Sequence, residues 1–232
     1  MYLLTETASP FALERWAAFF ANFGQFAKGF FYTLGISIGA LIVALLLGLI
    51  FGAMSSTHNK VLRGISRVYV EIFQNTPLLV QFVVVFYGIS ILTDGHVMIP
   101  ISLTAILCVG IYTGAYISEI IRTGIEAVPK GQTEAALSQG FTYADTMRII
   151  ILPQAVRTIL PPLTNQVVNL IKNTSTVAII SGADIMFTAK SWAYDTTNYV
   201  PAFAGAAFLY FIKCFPLATW ARRKEEENKK AY

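Results

Sequence analysis

Long apolar runs alternate with polar intervals along this chain, and the runs predict membrane-crossing helices. Phe30 to Met54 is an uncharged span rich in Leu, Ile, Ala and Gly, long enough to cross a hydrocarbon core that needs roughly 20 residues. A second run, Leu78 to Leu92, is short by itself. A helix reaching back to about Val68 would be long enough, but it would carry Glu71, Gln74, Asn75 and the helix-disturbing Pro77 in its first half. Polar groups at that depth need partners: protein neighbours, cytoplasmic water or a substrate. The third helix is expected from Ile101 to Ser118, ending at Glu119 and Arg122. A fourth runs from about Ile159 to Ala183, and a fifth from Pro201 to Trp220, stopped by Arg222, Arg223 and Lys224.

The intervals have patterns of their own. Residues 1–28 are aromatic and sparsely charged, with Trp16, Phe19, Phe20, Phe23 and Phe26 at mixed three- and four-residue spacing, which predicts a helix lying at the membrane interface. Thr93 to Pro100 reads as a turn, and Asp184 to Val200 as an external loop. The polar interval from Arg122 to Arg157 contains Gln132-Thr-Glu-Ala-Ala-Leu-Ser-Gln-Gly140. This stretch predicts a short helix with Glu134 in its first turn, near the positive end of the macrodipole, and Gly140 at its end. A second helix is expected from Thr142, with Asp145 completing a capping-box pattern. Such a hairpin is either an interfacial element or a docking element for another protein.

The fourth run is unusual: Pro161, Pro162, Asn165, Gln166, Asn169, Lys172, Asn173, Thr174, Ser175 and Thr176 all fall inside it. A mid-membrane lysine alone costs about 3 kcal/mol on insertion scales, so these side chains must mostly face protein or a wet pathway. Asn165, Asn169, Lys172 and Thr176 follow a spacing that puts them on one stripe of a helix. That stripe lines a substrate path or forms an interhelical hydrogen-bond seam in a dimer.

Composition agrees with a membrane protein: of 232 residues, 55% are hydrophobic and only 13% charged. The net charge of +4 does not point to nucleic acid, because the basic residues sit between apolar runs and in the tail. Lys60, Arg63 and Arg67, then Arg122, Lys130, Arg148 and Arg157, then Lys229 and Lys230 fall on one side of a five-span arrangement. The other side has only Arg15, Lys28 and Lys190. The positive-inside rule then places the N-terminus outside and both the tail and the Glu134 stretch in the cytoplasm. Cys108 and Cys214 lie in apolar runs without metal-ligand neighbours, and the first apolar run is too long for the core of a cleaved signal peptide. No phosphate-binding Gly-Lys-Ser/Thr loop, His-Glu-x-x-His helix or nucleophile elbow is present, so neither ATP hydrolysis nor another catalytic activity is expected of this chain, and neither a metal nor a cofactor. A polar stripe and a cytoplasmic hairpin are what a translocation subunit driven by another protein's ATPase would need.

Glu134-Ala-Ala-Leu-Ser-Gln-Gly140 followed by Ile151-Leu-Pro153 resembles the EAA loop of ABC importer permeases. Tyr69-Val-Glu-Ile-Phe-Gln-Asn-Thr-Pro-Leu-Leu-Val-Gln81, Gly114-Ala-Tyr-Ile-Ser-Glu-Ile-Ile-Arg-Thr-Gly-Ile125 and Pro161-Pro-Leu-Thr-Asn-Gln166 resemble the polar-amino-acid permeases of the histidine/glutamine type. The resemblance runs from about Thr33 through Trp220. It implies an all-α integral membrane protein of the type I importer permease fold, with five transmembrane helices and a cytoplasmic coupling hairpin. The implied partners are ABC ATPase subunits, a second permease subunit in a homo- or heterodimer, an extracytoplasmic amino-acid-binding protein and the lipid of a bacterial cell membrane.

Carried over residue by residue, the resemblance gives Glu134, Ala135, Ala136 and Gly140 the ATPase-docking role. Asn165, Asn169, Lys172, Asn173, Thr174 and Ser175 become the expected substrate path. Two departures stand out: Gln74-Asn75 replaces the common Arg-Gly, and Asn173 follows Lys172 where many members have Lys-Asp-Thr-Ser. A neutral Asn173 argues against a cationic substrate and for a neutral or acidic polar amino acid. The expected organisation is an interfacial segment at residues 1–28, a permease domain at 29–220 with its coupling loop at about 123–157, and a charged cytoplasmic tail at 221–232. Two other readings of the residues stay open here: a homo-oligomeric channel lined by the fourth helix, and a membrane scaffold whose stripe only holds a partner.

Overall fold

A computed structural model describes residues 9–230, all of whose regular structure is helical. The first eight residues of the expected interfacial segment and the last two of the expected tail lie outside the described residues.

Helix α1 (Leu13–Ala21) ends at Asn22, whose side-chain nitrogen donates to Ala18 O at 2.9 Å. Helix α2 (Phe23–Ser55) then starts before the uncharged run does, taking Lys28 into the helix. Its 33 residues span about 50 Å, more than the ~30 Å of a hydrocarbon core. One face of α2 is a buried stripe of small side chains: Gly29, Thr33, Ser37, Ala40, Ala44, Gly48 and Gly52. The opposite face exposes Phe31, Leu34, Ile38, Ile42, Leu46 and Leu49, the apolar surface that lipid tails would cover.

From Ala40 to Gly52 the small stripe packs against α6 (Ile101–Glu126). Lipid is as apolar as a leucine side chain, so two such helices associate by close approach and van der Waals contact. At Gly48 the approach is so close that a Cβ would lie 2.4 Å from Ile117 Cγ2.

Between these two helices the second apolar run departs from one continuous helix. Helix α3 (Lys60–Gln74) is capped by Asn59, whose Oδ1 accepts from Val61 N and Leu62 N. The chain then bends by 97° into α4 (Leu78–Val83), which passes through a π-helical turn at Val84–Gly88 into α5 (Ile89–Leu92). Pro77 explains the elbow: it has no N–H to give, and its ring pushes the preceding residue out of the helical region. Gln81 Nε2 fills the corner, donating to Thr76 Oγ1 at 2.8 Å and to the Thr76 and Phe73 carbonyls.

After α6 come α7 (Lys130–Ser138), the single turn α8 (Tyr143–Asp145), a π-helical stretch at Thr146–Ile151 and α9 (Leu152–Asn173). The fourth run tightens into a 3-10 helix at Thr174–Ile180 and turns at Ser181, which adopts a left-handed conformation. The expected external loop is instead mostly helix, α10 (Ile185–Thr196). Ile185, Ala189, Trp192 and Ala193 form its buried face, an apolar stripe of helical period that the loop reading overlooked. Finally α11 (Tyr199–Lys230) runs straight past Arg222 and Arg223, because arginine is a good helix former and does not end a helix by charge alone.

By length and composition α2, α6 and α11 can cross a membrane, and the bent α3–α5 pair counts as a fourth span. Helix α9, more polar than these, completes the five-helix set. One core cluster joins α2, α4, α6, α9 and the 3-10 segment through Ile36, Phe82, Ile117, Leu170 and Val177. A second gathers Phe19, Phe26, Ile185, Trp192 and Leu209. It holds α1 onto α10 and α11, helped by Arg15, whose guanidinium donates to Thr197 O and Asn198 Oδ1.

Candidate coupling hairpin and polar path

The hairpin is built at the end of α6. Pro129 precedes α7, so the helix starts at Lys130 with no side-chain cap. Its exit is sharp. Gly140 takes a φ of +86°, open to glycine at little cost, while Gly140 N–H donates to Leu137 O and Phe141 N–H to Ala136 O. Ser138 Oγ folds back on the Glu134 and Ala135 carbonyls at 2.9 Å each. Thr142 caps α8 by accepting from Asp145 N–H, and its hydroxyl donates to Asp145 Oδ2.

The four hairpin residues divide by burial. Ala136 is buried where α7 packs on the π-helical stretch, whereas Glu134, Ala135 and Gly140 are exposed. Leu137 and Tyr143 add apolar surface beside them, and the Tyr143 ring lies 5.1 Å from that of His58 in the α2–α3 turn. The exposed edge therefore offers one carboxylate, a methyl-sized side chain and a leucine, a shape and chemistry suited to insertion into a groove of another protein.

The expected path residues do not all converge. Asn165, Asn169 and Lys172 are exposed on one side of α9, with Asn169 Nδ2 donating to Gln166 Oε1 at 3.5 Å. Asn173 and Ser175 are half-buried. Thr174 is buried, its hydroxyl donating to Ile171 O at 2.7 Å, which withdraws it from any direct contact with a passing solute. Lys172 and Ser175 share a cavity of about 290 Å³ with Met186, Phe203 and Tyr210. On its other side Lys172 lines a groove of about 330 Å³ together with Phe211, Cys214 and Arg222. Asn165, Asn169 and Asn173 line neither.

Three polar side chains ahead of Pro77 find partners within the protein, whereas the buried Oε1 of Gln81 accepts no hydrogen bond among the described residues. Tyr69 Oη donates to Ile111 O at 2.7 Å, Gln74 Nε2 to Ala115 O at 3.1 Å, and Asn75 Nδ2 to Glu71 O. Arg122, at the end of α6, pairs with Glu119 and, at 2.5 Å, with Glu126. Among the described residues no group of three or more His, Cys, Asp or Glu could hold a metal ion.

Sequence reasoning passed over a set of buried polar residues. Asp184 is 1% exposed and Lys213 8%. Asp184 bonds to Tyr210, and Lys213 Nζ donates to Phe30 O. Lys213 is the one charged residue between Pro201 and Trp220, and that isolation inside an apolar run was the available signal.

Residues 44–225 match the family described as binding-protein-dependent transport system inner membrane component. The chain belongs to this family. Both the hairpin and the polar stripe of this transport-system component fall within the matched residues, while α1 and the first part of α2 lie ahead of them. Among its relatives, the probable glutamine ABC transporter permease protein GlnM of Bacillus subtilis is 37% identical over 216 residues, covering 92% of this chain and 97% of that protein. The glutamate/aspartate import permease protein GltJ of Escherichia coli is 36% identical over 187 residues, covering 73% of this chain and 76% of the relative. A solved structure described as an amino acid ABC transporter with histidines superposes with a TM-score of 0.84 at 31% identity. It covers 91% of this chain and 98% of that one. The component therefore has the all-helical fold of ABC importer permeases, and its place is the inner membrane.

Proposed function

We propose that this chain is the permease subunit of an ATP-driven importer for a polar amino acid, forming the translocation path with a second copy of itself or a paralogue. A separate ABC ATPase hydrolyses the nucleotide, and an extracytoplasmic binding protein delivers the substrate. The observation that carries the reading is the exposed edge of α7, where Glu134 and Ala135 stand clear of the protein on a helix that turns sharply at Gly140 into the Thr142-capped α8. Ala136 packs this helix on the π-helical stretch that leads into α9, so a push on its exposed edge reaches the membrane helices. Closure of two ATPase subunits moves the docked hairpins, and the polar stripe of Asn165, Asn169 and Lys172 lines the passage that opens alternately outward and inward.

The N-terminus lies outside and the tail inside, on the strength of the lysine and arginine distribution. The substrate is a neutral or acidic amino acid: Asn173 carries no charge to match a cation, and relatives are named for glutamine and for glutamate/aspartate.

In a reconstituted complex, Glu134→Lys is expected to leave the assembly folded while uptake falls by about tenfold or more, as loss of a charge-assisted contact at the docking edge predicts. Unchanged uptake would remove the hairpin from the coupling role. Competition with the full amino-acid set should show glutamine or an acidic amino acid as the best inhibitor, and strongest inhibition by arginine would refute the substrate class. Flux through this chain alone, without ATP, would instead make it a channel.

A further inference from the structure

Helix α10 is capped at its N-terminal end by its own Asp184 and held there by two other helices, α11 and α2. Asp184, its N-cap, accepts from Phe187 N–H at 2.9 Å through Oδ1 and from Met186 N–H at 3.1 Å through Oδ2. Oδ2 also accepts from Tyr210 Oη on α11 at 3.0 Å. From the other side, Ile185 N–H donates to Thr33 Oγ1 on α2 at 3.2 Å. Gly29 lets α2 come this near: a Cβ there would lie 2.8 Å from Thr188 Oγ1 and 3.1 Å from Asp184 O. Lys213 closes the ring, its ammonium donating to Phe30 O and sitting 4.0 Å from the centre of the Phe30 ring.

The site lies deep. Tyr210 is roughly three turns into α11 from Tyr199, so Asp184 sits well inside the membrane span rather than at its rim. The tie also reaches the polar path, since Tyr210 and Met186, in the first turn of α10, wall the cavity that Lys172 and Ser175 share. A carboxylate and an ammonium kept this far from water are costly unless their bonds are complete, and every one of these bonds crosses from one helix to another or caps α10.

We propose that Asp184, Tyr210 and Thr33 form a latch that positions α10 against α2 and α11 and keeps the outer part of the permeation path closed, with Lys213 tying α11 to α2 beside it through Phe30 O. They are positioning residues: they set the place of Met186 and of α10 as a whole, and release of the Tyr210–Asp184 bond frees that end of the helix. The proposal rests on the importer reading for its consequence in transport, and not for the latch itself.

The test uses the full chain in its native assembly, with Cys108→Ala and Cys214→Ala as background. Ala189→Cys places a thiol on the fully buried face of α10, and Ala105→Cys places a control thiol in the α2–α6 core. Tyr210→Phe removes only the hydroxyl. Alkylation of Cys at 189 by N-ethylmaleimide should then quicken by about tenfold or more, the size expected for loss of one hydrogen bond to a charged acceptor, while the control stays unchanged. No acceleration, or equal acceleration at both positions, would overturn the latch. Should Tyr210→Phe fail to yield a folded assembly, Thr33→Val carries the same expectation, and the same two results would overturn it. The second readout is the ratio of amino acid taken up to ATP hydrolysed. A purely structural defect lowers both together; the latch predicts a lower ratio, and a constant ratio would refute its part in transport. A wild-type assembly that takes up no amino acid refutes the importer reading, and the alkylation result still decides the latch.

Discussion

Tyr69 and Gln74 reach from α3 to α6 one turn apart, donating to Ile111 O and Ala115 O. Both acceptors lie within α6, so they act as second donors to carbonyls of the helix rather than as sole partners. Tyr69→Phe should therefore cost only about 1 kcal/mol, the size of a typical interhelical hydrogen bond in a membrane protein. A thermal-unfolding shift of a few degrees in the detergent-solubilised complex would match that, and loss of the folded complex would contradict it. The sequence could show that Glu71, Gln74 and Asn75 need partners, because polar groups at membrane depth do. It could not show which, because the partner of Gln74 is a main-chain carbonyl of α6 and that of Asn75 is the Glu71 carbonyl one turn back. Lys213 was legible as an isolated charge inside an apolar run, but its partner, the Phe30 carbonyl 183 residues away, was not.

Among the elements, the hairpin was the most readable. Gly140 and the Thr142 cap act within a few residues of themselves, and local chemistry of that kind survives in any tertiary setting. The start of α7 was less readable, since no side chain caps it and Pro129 sets the boundary by geometry alone. Gly140→Ala puts a Cβ on a residue with a φ of +86°, a strain of about 1 kcal/mol that nothing nearby relieves. The variant should retain the fold but lose part of its ATPase on washing during co-purification; full retention would show that the sharp exit is unnecessary. Helix α10 lies where the sequence reads as an external loop, because Asp184 to Val200 has no long apolar run. Only its fourfold apolar recurrence, ending against Phe26 and Leu209, shows that it is folded back into the helical bundle.

For the molecule as a whole, the most extensive helix contact among the described residues is α2 against α6, with small residues on α2 opposite Ile117 and Ile121. Gly48→Leu should be among the most damaging single changes outside the functional sites. Its side chain cannot enter without parting two spans, a penalty of at least about 1–3 kcal/mol. A yield of folded complex near that of wild type would mean that the two helices are free to separate. Such runs were plain in the sequence because length and hydropathy alone define them, whereas the mutual approach of two helices depends on which faces their glycines share.

Thr174–Ile180 has a consequence for pointing. A 3-10 helix turns about 120° and rises about 2.0 Å per residue, against about 100° and 1.5 Å in an α-helix. Wound as α-helix, those seven residues would end about 3.5 Å short and about 140° out of phase. The tight winding is thus the gauge that aims the Asp184 carboxylate at α11, and a change of pitch there swings its bearing and its reach together.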